Sequence, residues 1–537
     1  MEQAPEATEN AANPIVWSIA GTDSGGGAGL AADQRAAEAF GLHLCPVVAA
    51  VTAQNSQAVT RLAPVAPELL DAQLAALAAD MPPAAIKTGL LGSADNVAVV
   101  ARWLDRLRQR APVALVVDPV LGASTGAAFA DAAALNAYRT LLLPRATLLT
   151  PNGREASALA GEGGSAADAP AQAHALRALG VQAVCVTGGD SPLAAGWSLD
   201  WADTPHARGW LALPRVATPH NHGTGCTFAT SAACALALGF VAADALVLAK
   251  MATTQALRHG RAAGQGAGPV AARAGFATQP DLLPFMSWGE DFDFDSCSRL
   301  PDKREMPISS NVPEIGLYAI VDAAERVRQV VQAGVRTVQL RIKMPDAPGA
   351  AWHAALRQAV VQALDACRPL GATLVVNDHW RLAAELGAPA VHLGQEDLLA
   401  LGEAGRAELA ASGLRLGVSS HSLWELCRAR SLAPWTIACG PVWPTLTKTM
   451  PWRPQGLDNL TWWVRMAGWP VVAIGGILQP EQAAQAAQSG AAGVCVVRGL
   501  GEVPAQTLPA WQAALAAGRA GQSLPVPGLP HPSLLNT

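Results

Sequence analysis

A run of small residues in the first half of the chain has the composition of an anion-binding turn. The run His222-Gly223-Thr224-Gly225-Cys226-Thr227 precedes a long alanine-rich stretch with helical character. Small residues at a helix start expose backbone N–H groups to an anion, and the helix dipole strengthens the attraction. We therefore expect Gly223, Thr224 and Gly225 to hold a transferring phosphoryl group.

Cys226 falls in the first turn of this predicted helix. The helix field there is expected to lower the pKa of its thiol, so that a thiolate takes a proton from a substrate hydroxyl. For an isolated motif, the alternative is a buried helix start with a packing cysteine. A second glycine-rich stretch, residues 21–29, ends the first predicted strand. Its spacing is a poor match to the dinucleotide-binding fingerprint, and a tight strand–helix turn also explains it.

Charged residues follow the predicted strands in the second half of the chain. Arg341, Lys343 and Lys448 supply positive charge, and Asp378 and Asp397 supply hard oxygen ligands. Mg²⁺ is typically held by one or two carboxylates together with substrate phosphates. These residue types therefore predict a pyrophosphate–Mg²⁺ site.

The elements that must position these residues alternate between strands and helices. In the first half, short apolar runs separated by alanine-rich stretches predict a mostly parallel sheet covered on both sides by helices. In the second half, eight strand-like runs alternate with helix-length segments. That pattern predicts a TIM (β/α)8 barrel, with a doubly wound sheet as the alternative. In a barrel the charged residues gather at the C-terminal ends of the strands, with a second phosphate cradle at Gly475–Gly476.

The chain is expected to contain two domains joined by a linker. An aromatic, acidic and proline-interrupted stretch without strand or helix period marks the linker. The expected divisions are a disordered N-terminus at 1–12, a first domain at 13–281, the linker at 282–312, a second domain at 313–520 and a tail at 521–537.

Composition limits the classes of partner. The formal net charge of −5 argues against a general nucleic-acid binder, which needs a basic face. No apolar run approaches the ~20 residues of a membrane helix, and the N-terminus lacks a signal-peptide pattern. Nine cysteines without paired spacing suit a reducing compartment. We expect a cytoplasmic protein whose partners are small molecules, with neither nucleic acid nor membrane.

Several motifs of the first half occur in the order typical of one enzyme family. They are Ile19-Ala20-Gly21-Thr22-Asp23, Gly26-Gly27-Ala28-Gly29 with Asp33, Ala53-Gln54-Asn55, Ile86-Lys87-Thr88-Gly89, Asp118-Pro119-Val120, Thr150-Pro151-Asn152 with Glu155, Thr187-Gly188-Gly189 and the turn at Gly223. Over residues 13 to about 280, this set resembles the hydroxymethylpyrimidine/phosphomethylpyrimidine kinases of the ribokinase-like superfamily.

The resemblance implies a ribokinase-like αβα sandwich that uses ATP and Mg²⁺. It implies that Gly21, Asp33 and Gln54 bind the pyrimidine and that Cys226 is the base. The remaining implied contacts, around ATP, Mg²⁺ and the transferring phosphate, are Asn152, Glu155, Thr187, Gly223, Thr224 and Gly225. Self-association is common in the superfamily, so a homo-oligomer is expected.

The strand-end residues of the second half, from 314 to about 515, resemble those of thiamine phosphate synthase. That family joins hydroxymethylpyrimidine pyrophosphate to a thiazole phosphate and releases pyrophosphate. The residues implied to bind the pyrimidine pyrophosphate are Gln339, Arg341, Lys343, Asn377, Ser419 and Lys448, of which Ser419 and Lys448 also stabilise the leaving group. Those implied at the thiazole phosphate are Thr445, Thr447, Gly476, Val497 and Arg498, and the Mg²⁺ ligands are Asp378 and Asp397.

Several positions depart from the family patterns. In the kinase, Thr187-Gly188-Gly189-Asp190 stands where Lys-Gly-Gly-His is common, and Leu90 replaces a common Met. In the synthase, Ile342 replaces a common Asp, and Arg498-Gly499 replaces the usual Ser-Ala. Two alternatives stay open. The kinase could act on a related alcohol such as pyridoxal, or the barrel could be an inactive sensor of thiamine phosphate.

Overall fold

The computed structural model describes the chain in six stretches, and these form two compact units. The described residues are 13–122, 129–161, 168–189, 196–291, 315–445 and 451–534. The first unit ends at Ala277 and the second begins at Thr278. Asp190, Thr447 and Lys448 lie outside the described residues, as do the N-terminus at 1–12 and most of the predicted linker. The predicted domain limits stay predictions.

The first unit contains one mixed, mostly parallel sheet. Its strands are β1 (Ile15–Gly21), β2 (His43–Gln54), β3 (Val59–Pro64), β4 (Ala85–Thr88), β5 (Ala114–Val117), β6 (Leu148–Leu149), β7 (Val184–Val186), β8 (Trp197–Asp203) and β9 (Arg208–Pro214). They lie in the order β9-β8-β7-β6-β5-β4-β1-β2-β3. Only β3 and the β8–β9 hairpin run antiparallel to their neighbours.

Helices accompany this sheet. They are α1 (Gly29–Ala39), α2 (Pro67–Asp80), α3 (Ala94–Arg108), α4 (Ala132–Ala137), α5 (Gly153–Ala160), α6 (Ala169–Ala178), α7 (Thr224–Ala237) and α8 (Ala242–Arg258). Helix α7 packs on β1, β4 and β5, and its start therefore lies beside the C-terminal ends of the parallel strands. The predicted ribokinase-like arrangement is confirmed.

The second unit contains a closed parallel barrel. After a short strand, β10 (Phe285–Met286), the barrel strands are β11 (Gly316–Val321), β12 (Thr337–Leu340), β13 (Thr373–Asn377), β14 (Ala390–Leu393), β15 (Arg415–Ser420), β16 (Thr436–Cys439), β17 (Val471–Ala473) and β18 (Gly493–Val496). β18 pairs with β11 and closes the barrel, which confirms the predicted (β/α)8 fold.

The helices of this unit follow the strands along the chain. They are α9 (Ala324–Gln332), α10 (Ala350–Cys367), α11 (Trp380–Glu385), α12 (Gln395–Ala400), α13 (Gly402–Ala411), α14 (Leu423–Ser431), α15 (Gly456–Met466), α16 (Pro480–Gln488) and α17 (Pro504–Ala520). No helix among the described residues is long and apolar enough to cross a membrane.

The first part of the predicted linker is packed against the barrel unit. Arg430, buried on α14, donates to the carbonyl oxygens of Leu283 at 2.6 Å and Pro284 at 3.1 Å. The Trp288 indole donates to the Arg428 carbonyl at 3.2 Å. Because a buried guanidinium needs its acceptors, these hydrogen bonds anchor the backbone at Leu283 and Pro284 to the second unit.

Replacing Arg430 with alanine should therefore destabilise the barrel unit. The change leaves three buried carbonyl acceptors without their donor, including that of Ala467 at 3.0 Å. We expect a loss of roughly 2–4 kcal/mol in the free energy of unfolding, measured by urea denaturation. Arg415→Ala is the control, because that exposed guanidinium lies over the Trp435 ring. Equal effects of the two substitutions would contradict the structural role of Arg430.

Candidate active sites

The glycine-rich turn before α7 lies against the loop after β1. Gly223 has a φ of 85°, and a Cβ added to it would lie 2.2 Å from the Gly27 carbonyl oxygen. A larger residue at 223 would therefore be strained and would push the two loops apart. Helix α7 begins at Thr224, so Cys226 lies in its first turn, as the sequence predicts.

Asp23 and His222 connect the two loops. The Asp23 carboxylate accepts the backbone N–H groups of Gly25, Gly27 and Ala28 at 2.8–2.9 Å, and His222 Nε2 lies 2.9 Å from its Oδ2. Burial alone would raise the pKa of Asp23, but these hydrogen bonds outweigh it and hold the pKa at about 2. The pair is 199 residues apart in sequence, and neither residue is among the predicted site residues.

Asp33 lies in the protein interior. Its carboxylate accepts from Ser18 at 2.6 Å, Thr230 at 2.7 Å and Lys87 at 3.1 Å, and the residue has no exposed surface. Lys87 is also 3.4 Å from Asp118. Direct contact between Asp33 and a ligand would require Asp33 to move. In this structure it holds Lys87 instead.

The expected lowering of the Cys226 pKa is wrong for this structure. Burial is the largest cause of a shift upward, and the negative charges of Asp118 and Asp33 add to it, so that the thiol pKa rises to about 12. Lys87 opposes the rise but does not cancel it. The helix start alone suggests a reactive thiolate, whereas burial and the carboxylates of Asp33 on α1 and Asp118 after β5 favour the neutral thiol.

Two of the predicted nucleotide contacts cap α5. The Asn152 side chain accepts the backbone N–H of Glu155 at 3.0 Å, and the Glu155 carboxylate accepts the backbone N–H of Asn152 at 3.0 Å. This capping box fixes both side chains at the helix start. Thr187 forms a β-bridge with Asn152, so the structure brings these three predicted residues together.

A buried ion pair supports the turn that follows Thr187. Asp200 accepts the Gly188 backbone N–H at 2.9 Å through one oxygen and lies 2.6 Å from Lys250 Nζ through the other. Lys250 also donates to the hydroxyl and carbonyl of Ser198, at 2.8 and 3.1 Å. The Gly188 backbone is therefore held by groups that are themselves fully hydrogen-bonded.

In the barrel, a chain of hydrogen bonds links three consecutive strands. The Tyr318 hydroxyl donates to Gln339 Oε1 at 3.0 Å, and Gln339 Nε2 donates to Asn377 Oδ1 at 2.6 Å. All three residues are buried. The predicted ligands Gln339 and Asn377 are therefore oriented by each other and by Tyr318, which sequence reasoning did not select.

Asp378 and Asp397 lie at the mouth of the barrel. Partial burial raises the pKa of Asp378, and the Asp397 charge adds to the rise, while His379 and Arg341 oppose it. Each residue is solvent-accessible. Mutual repulsion of two carboxylates favours a cation between them, and no group of three or more metal-ligating residues exists among the described residues. Asp378 and Asp397 are thus two accessible carboxylates that act on each other electrostatically and could hold a Mg²⁺.

The remaining predicted synthase residues are distributed around the same rim. Gly475 and Gly476 both have positive φ, and a Cβ on Gly476 would lie 2.6 Å from Trp443, so glycine is required there. Lys343, Val497 and Arg498 are exposed, whereas Arg341 and Thr445 are half-buried. Thr447 and Lys448 fall outside the described residues.

His392 contacts the predicted leaving-group ligand Ser419. Its Nε2 lies 2.9 Å from the Ser419 hydroxyl. Burial, with smaller contributions from Arg341 and His421, lowers the pKa of His392 to about 4. The imidazole is therefore neutral at pH 7 and can share one hydrogen with Ser419. His392 lies on β14 and is not among the predicted ligands.

The lowered His392 pKa predicts acid destabilisation of the barrel. Between about pH 6.5 and 4 the unfolded chain binds a proton at His392 that the folded chain does not, so stability falls as the pH falls. The full effect is roughly 3 kcal/mol. Urea denaturation across this range should show a shallower pH dependence for His392→Asn. An unchanged slope in that variant would contradict the pKa assignment.

Comparison with known proteins agrees with the two architectures. Residues 23–271 match the family model for phosphomethylpyrimidine kinase, and residues 317–500 match that for thiamine monophosphate synthase. The first unit is thus a small-molecule kinase domain that uses ATP, and the second is a synthase barrel.

Individual relatives match either one unit or both. A hydroxymethylpyrimidine/phosphomethylpyrimidine kinase of Synechococcus elongatus is 43% identical over 48% of this chain and 96% of its own length. A thiamine-phosphate synthase of Rhizobium etli is 44% identical over 34% of this chain and 84% of its own. The chloroplastic thiamine biosynthetic bifunctional enzyme TH1 of Arabidopsis thaliana is 32% identical over 86% of this chain and 85% of its own. The chain belongs to this family of bifunctional thiamine biosynthetic enzymes.

Proposed function

We propose that the chain catalyses three consecutive reactions of thiamine synthesis. The first unit transfers phosphate from ATP to 4-amino-5-hydroxymethyl-2-methylpyrimidine and then to its monophosphate. The second unit joins the resulting pyrophosphate to 4-methyl-5-(2-phosphoethyl)thiazole, forming thiamine phosphate and releasing pyrophosphate. The observation that carries this proposal is the presence in one chain of a Gly223–Cys226 helix start and an Asp378–Asp397 pair, each in the unit whose family uses it.

In the kinase, the substrate oxygen bonds to the γ-phosphorus of ATP while the bond to the β,γ-bridging oxygen breaks and ADP leaves. Backbone N–H groups at Gly223, Thr224 and Gly225 receive the charge of the transferring group. Cys226 accepts the hydroxyl proton. Because its thiol is protonated at rest, its own proton must first pass to a neighbour, and we assign this role to Asp118, whose charge acts on the thiol.

The nucleotide is assigned to the neighbourhood of α5. Asn152, Glu155 and Thr187 lie together there, and Asp200 with Lys250 fixes the adjoining Gly188 backbone. Groups already held by the fold lose little freedom on binding and can be placed accurately. Glu155 would help to hold a Mg²⁺, which would supply neutralisation of the phosphate charge.

In the synthase, Asp378 and Asp397 would hold a Mg²⁺ that neutralises the departing pyrophosphate. Gln339 reads the pyrimidine, with Arg341, Lys343 and Asn377 assigned to its pyrophosphate. Ser419 and Lys448 are assigned to the leaving group. The C–O bond to pyrophosphate breaks, the aminopyrimidine supports the positive charge at its methylene, and the thiazole nitrogen supplies the new bond. Thr445, Thr447, Gly476, Val497 and Arg498 are assigned to the thiazole phosphate.

The environment proposed for this enzyme is the cytoplasm, with small molecules as its partners, no nucleic acid or membrane, and self-association into a homo-oligomer. The formal net charge of −5 supports the proposal that the enzyme does not bind nucleic acid. The unpaired cysteines of the described residues support the proposed cytoplasmic environment.

Phosphorylation of the monophosphate tests the kinase assignment. The purified chain with ATP, Mg²⁺ and hydroxymethylpyrimidine monophosphate should yield the pyrophosphate, detected by mass spectrometry. A kinase for a related alcohol such as pyridoxal would phosphorylate that alcohol and leave the pyrimidine monophosphate unchanged, which would contradict the proposal.

A further inference from the structure

Hydrogen bonds around His222 determine the orientation of the Gln54 side-chain amide. His222 Nε2 lies 2.9 Å from Asp23 Oδ2 and 3.4 Å from the amide atom placed as Gln54 Nε2. Thr52 Oγ1 lies 3.4 Å from the amide atom placed as Gln54 Oε1. The nitrogen and oxygen of a carboxamide are nearly alike in shape, so the donors and acceptors around them decide which is which.

His222 Nε2 has to be a donor. Asp23 accepts three backbone N–H groups of the glycine-rich loop, an arrangement that stabilises the ionised carboxylate. Opposite that carboxylate, the imidazole nitrogen carries a hydrogen in both the neutral and the charged form of the ring. A nitrogen that donates its one hydrogen to Asp23 offers no lone pair to a second N–H and repels one, so the Gln54 oxygen is favoured over the amide N–H on the side that faces His222.

Thr52 leads to the same orientation. Its hydroxyl donates to the Thr22 carbonyl oxygen at 2.8 Å, and a hydroxyl has only one hydrogen to give. Toward Gln54, Thr52 Oγ1 is therefore an acceptor and requires the amide nitrogen. His222 and Thr52 contact opposite ends of the Gln54 amide, and both favour the same orientation.

We propose that His222, held by Asp23, is a specificity-positioning residue of the kinase that fixes the Gln54 amide with its oxygen toward His222 and its nitrogen toward Thr52. One lone pair and one N–H of the amide are then left for a ligand. This pair recognises a heteroaromatic ring that carries an exocyclic amine beside a ring nitrogen. The inference rests on the proposed function, in which Gln54 reads an aminopyrimidine.

The fixed orientation makes the amine a requirement. If a methyl group replaces the amine, the lone pair on the oxygen of a fixed amide loses its hydrogen-bond donor. The value of kcat/KM for the analogue is then lower than for the aminopyrimidine. Without His222 the Gln54 amide can rotate and turn its nitrogen to the position of the oxygen. The difference in kcat/KM between the two pyrimidines then becomes smaller. The selectivity between the two pyrimidines therefore depends on His222 although His222 acts only through Gln54.

The test compares 4-amino-5-hydroxymethyl-2-methylpyrimidine with the analogue bearing methyl in place of the amine, using the full chain. We expect His222→Ala to lower the ratio of the two kcat/KM values about 10-fold. Gln54→Ala should lower it at least as much, and the double variant should show no further loss beyond Gln54→Ala. An unchanged ratio in His222→Ala, or effects that multiply in the double variant, would overturn the inference.

One further measurement and two further variants complete the test. The ratio of Kd values for the two pyrimidines, obtained by calorimetry, reports selectivity even if His222→Ala slows turnover. His222→Asn keeps an N–H donor and should recover part of the ratio. His220→Ala is the matched control, since His220 hydrogen-bonds to the Gly268 backbone instead, and it should leave the ratio unchanged. If the wild-type chain fails to phosphorylate the aminopyrimidine, the proposed function itself is wrong, and that outcome is distinct from loss of the His222 effect.

Discussion

Replacing Cys226 with alanine is expected to lower kcat/KM for pyrimidine phosphorylation at least 100-fold. General-base groups contribute about 10²–10⁴ in rate, and the backbone N–H groups of the turn remain in place when only the thiol is removed. Steady-state kinetics with ATP and hydroxymethylpyrimidine measure the loss. The same preparation should keep its synthase rate when it is supplied with pyrimidine pyrophosphate.

The pH dependence separates a base from a packing cysteine. Because the thiol pKa is about 12 without substrate, the fraction of thiolate grows with pH throughout the neutral range. Wild-type kcat/KM should therefore rise with pH, and the residual rate of Cys226→Ala should be flat. Cys234→Ala, eight residues further along the same helix and buried, is the control and should retain its kinase rate. Unchanged turnover in Cys226→Ala would remove Cys226 as the base.

Replacing Asp378 is expected to have a similarly large effect on the synthase alone. Loss of one of two Mg²⁺ ligands should lower the condensation rate roughly 100-fold or more and raise the Mg²⁺ concentration needed for half-maximal rate. Kinase turnover should be preserved. The measurement is thiamine phosphate formation from supplied pyrimidine pyrophosphate across a Mg²⁺ titration.

The backbone of Asp378 decides which substitution is informative. Its φ is 64°, a left-handed conformation that asparagine tolerates and alanine resists. Asp378→Asn therefore removes the charge with little strain, whereas Asp378→Ala adds a backbone penalty. Asp365→Asn, on the exposed surface of α10, is the control. A normal Mg²⁺ response in Asp378→Asn would contradict the metal assignment.

The fold was predictable because its signals are local and repeated. Two of the eight strand-like runs that the sequence predicts in the second half span 316–321 and 373–377, and they are β11 and β13 with the same limits. Each barrel unit repeats the pattern, so that errors at single boundaries do not alter the architecture. The helix start at Thr224 was predictable because the small residues around it are also a local signal.

The electrostatics of the site were not predictable, because they depend on residues distant in sequence. The carboxylates of Asp118 and Asp33 raise the pKa of the Cys226 thiol. His222 contacts Asp23, which lies 199 residues away in the sequence. Burial of Asp33 is equally invisible in the motif that contains it. The anchoring of Leu283 was not predictable either, because its partner, Arg430, lies on a helix more than one hundred residues away.

The most direct test of the central claim supplies the purified chain with hydroxymethylpyrimidine, ATP, Mg²⁺ and thiazole phosphate and follows every species by mass spectrometry. We predict that the monophosphate and pyrophosphate appear in turn and that thiamine phosphate accumulates as pyrophosphate is released. Accumulation of the pyrimidine pyrophosphate without thiamine phosphate would contradict the account and favour a barrel that only senses thiamine phosphate.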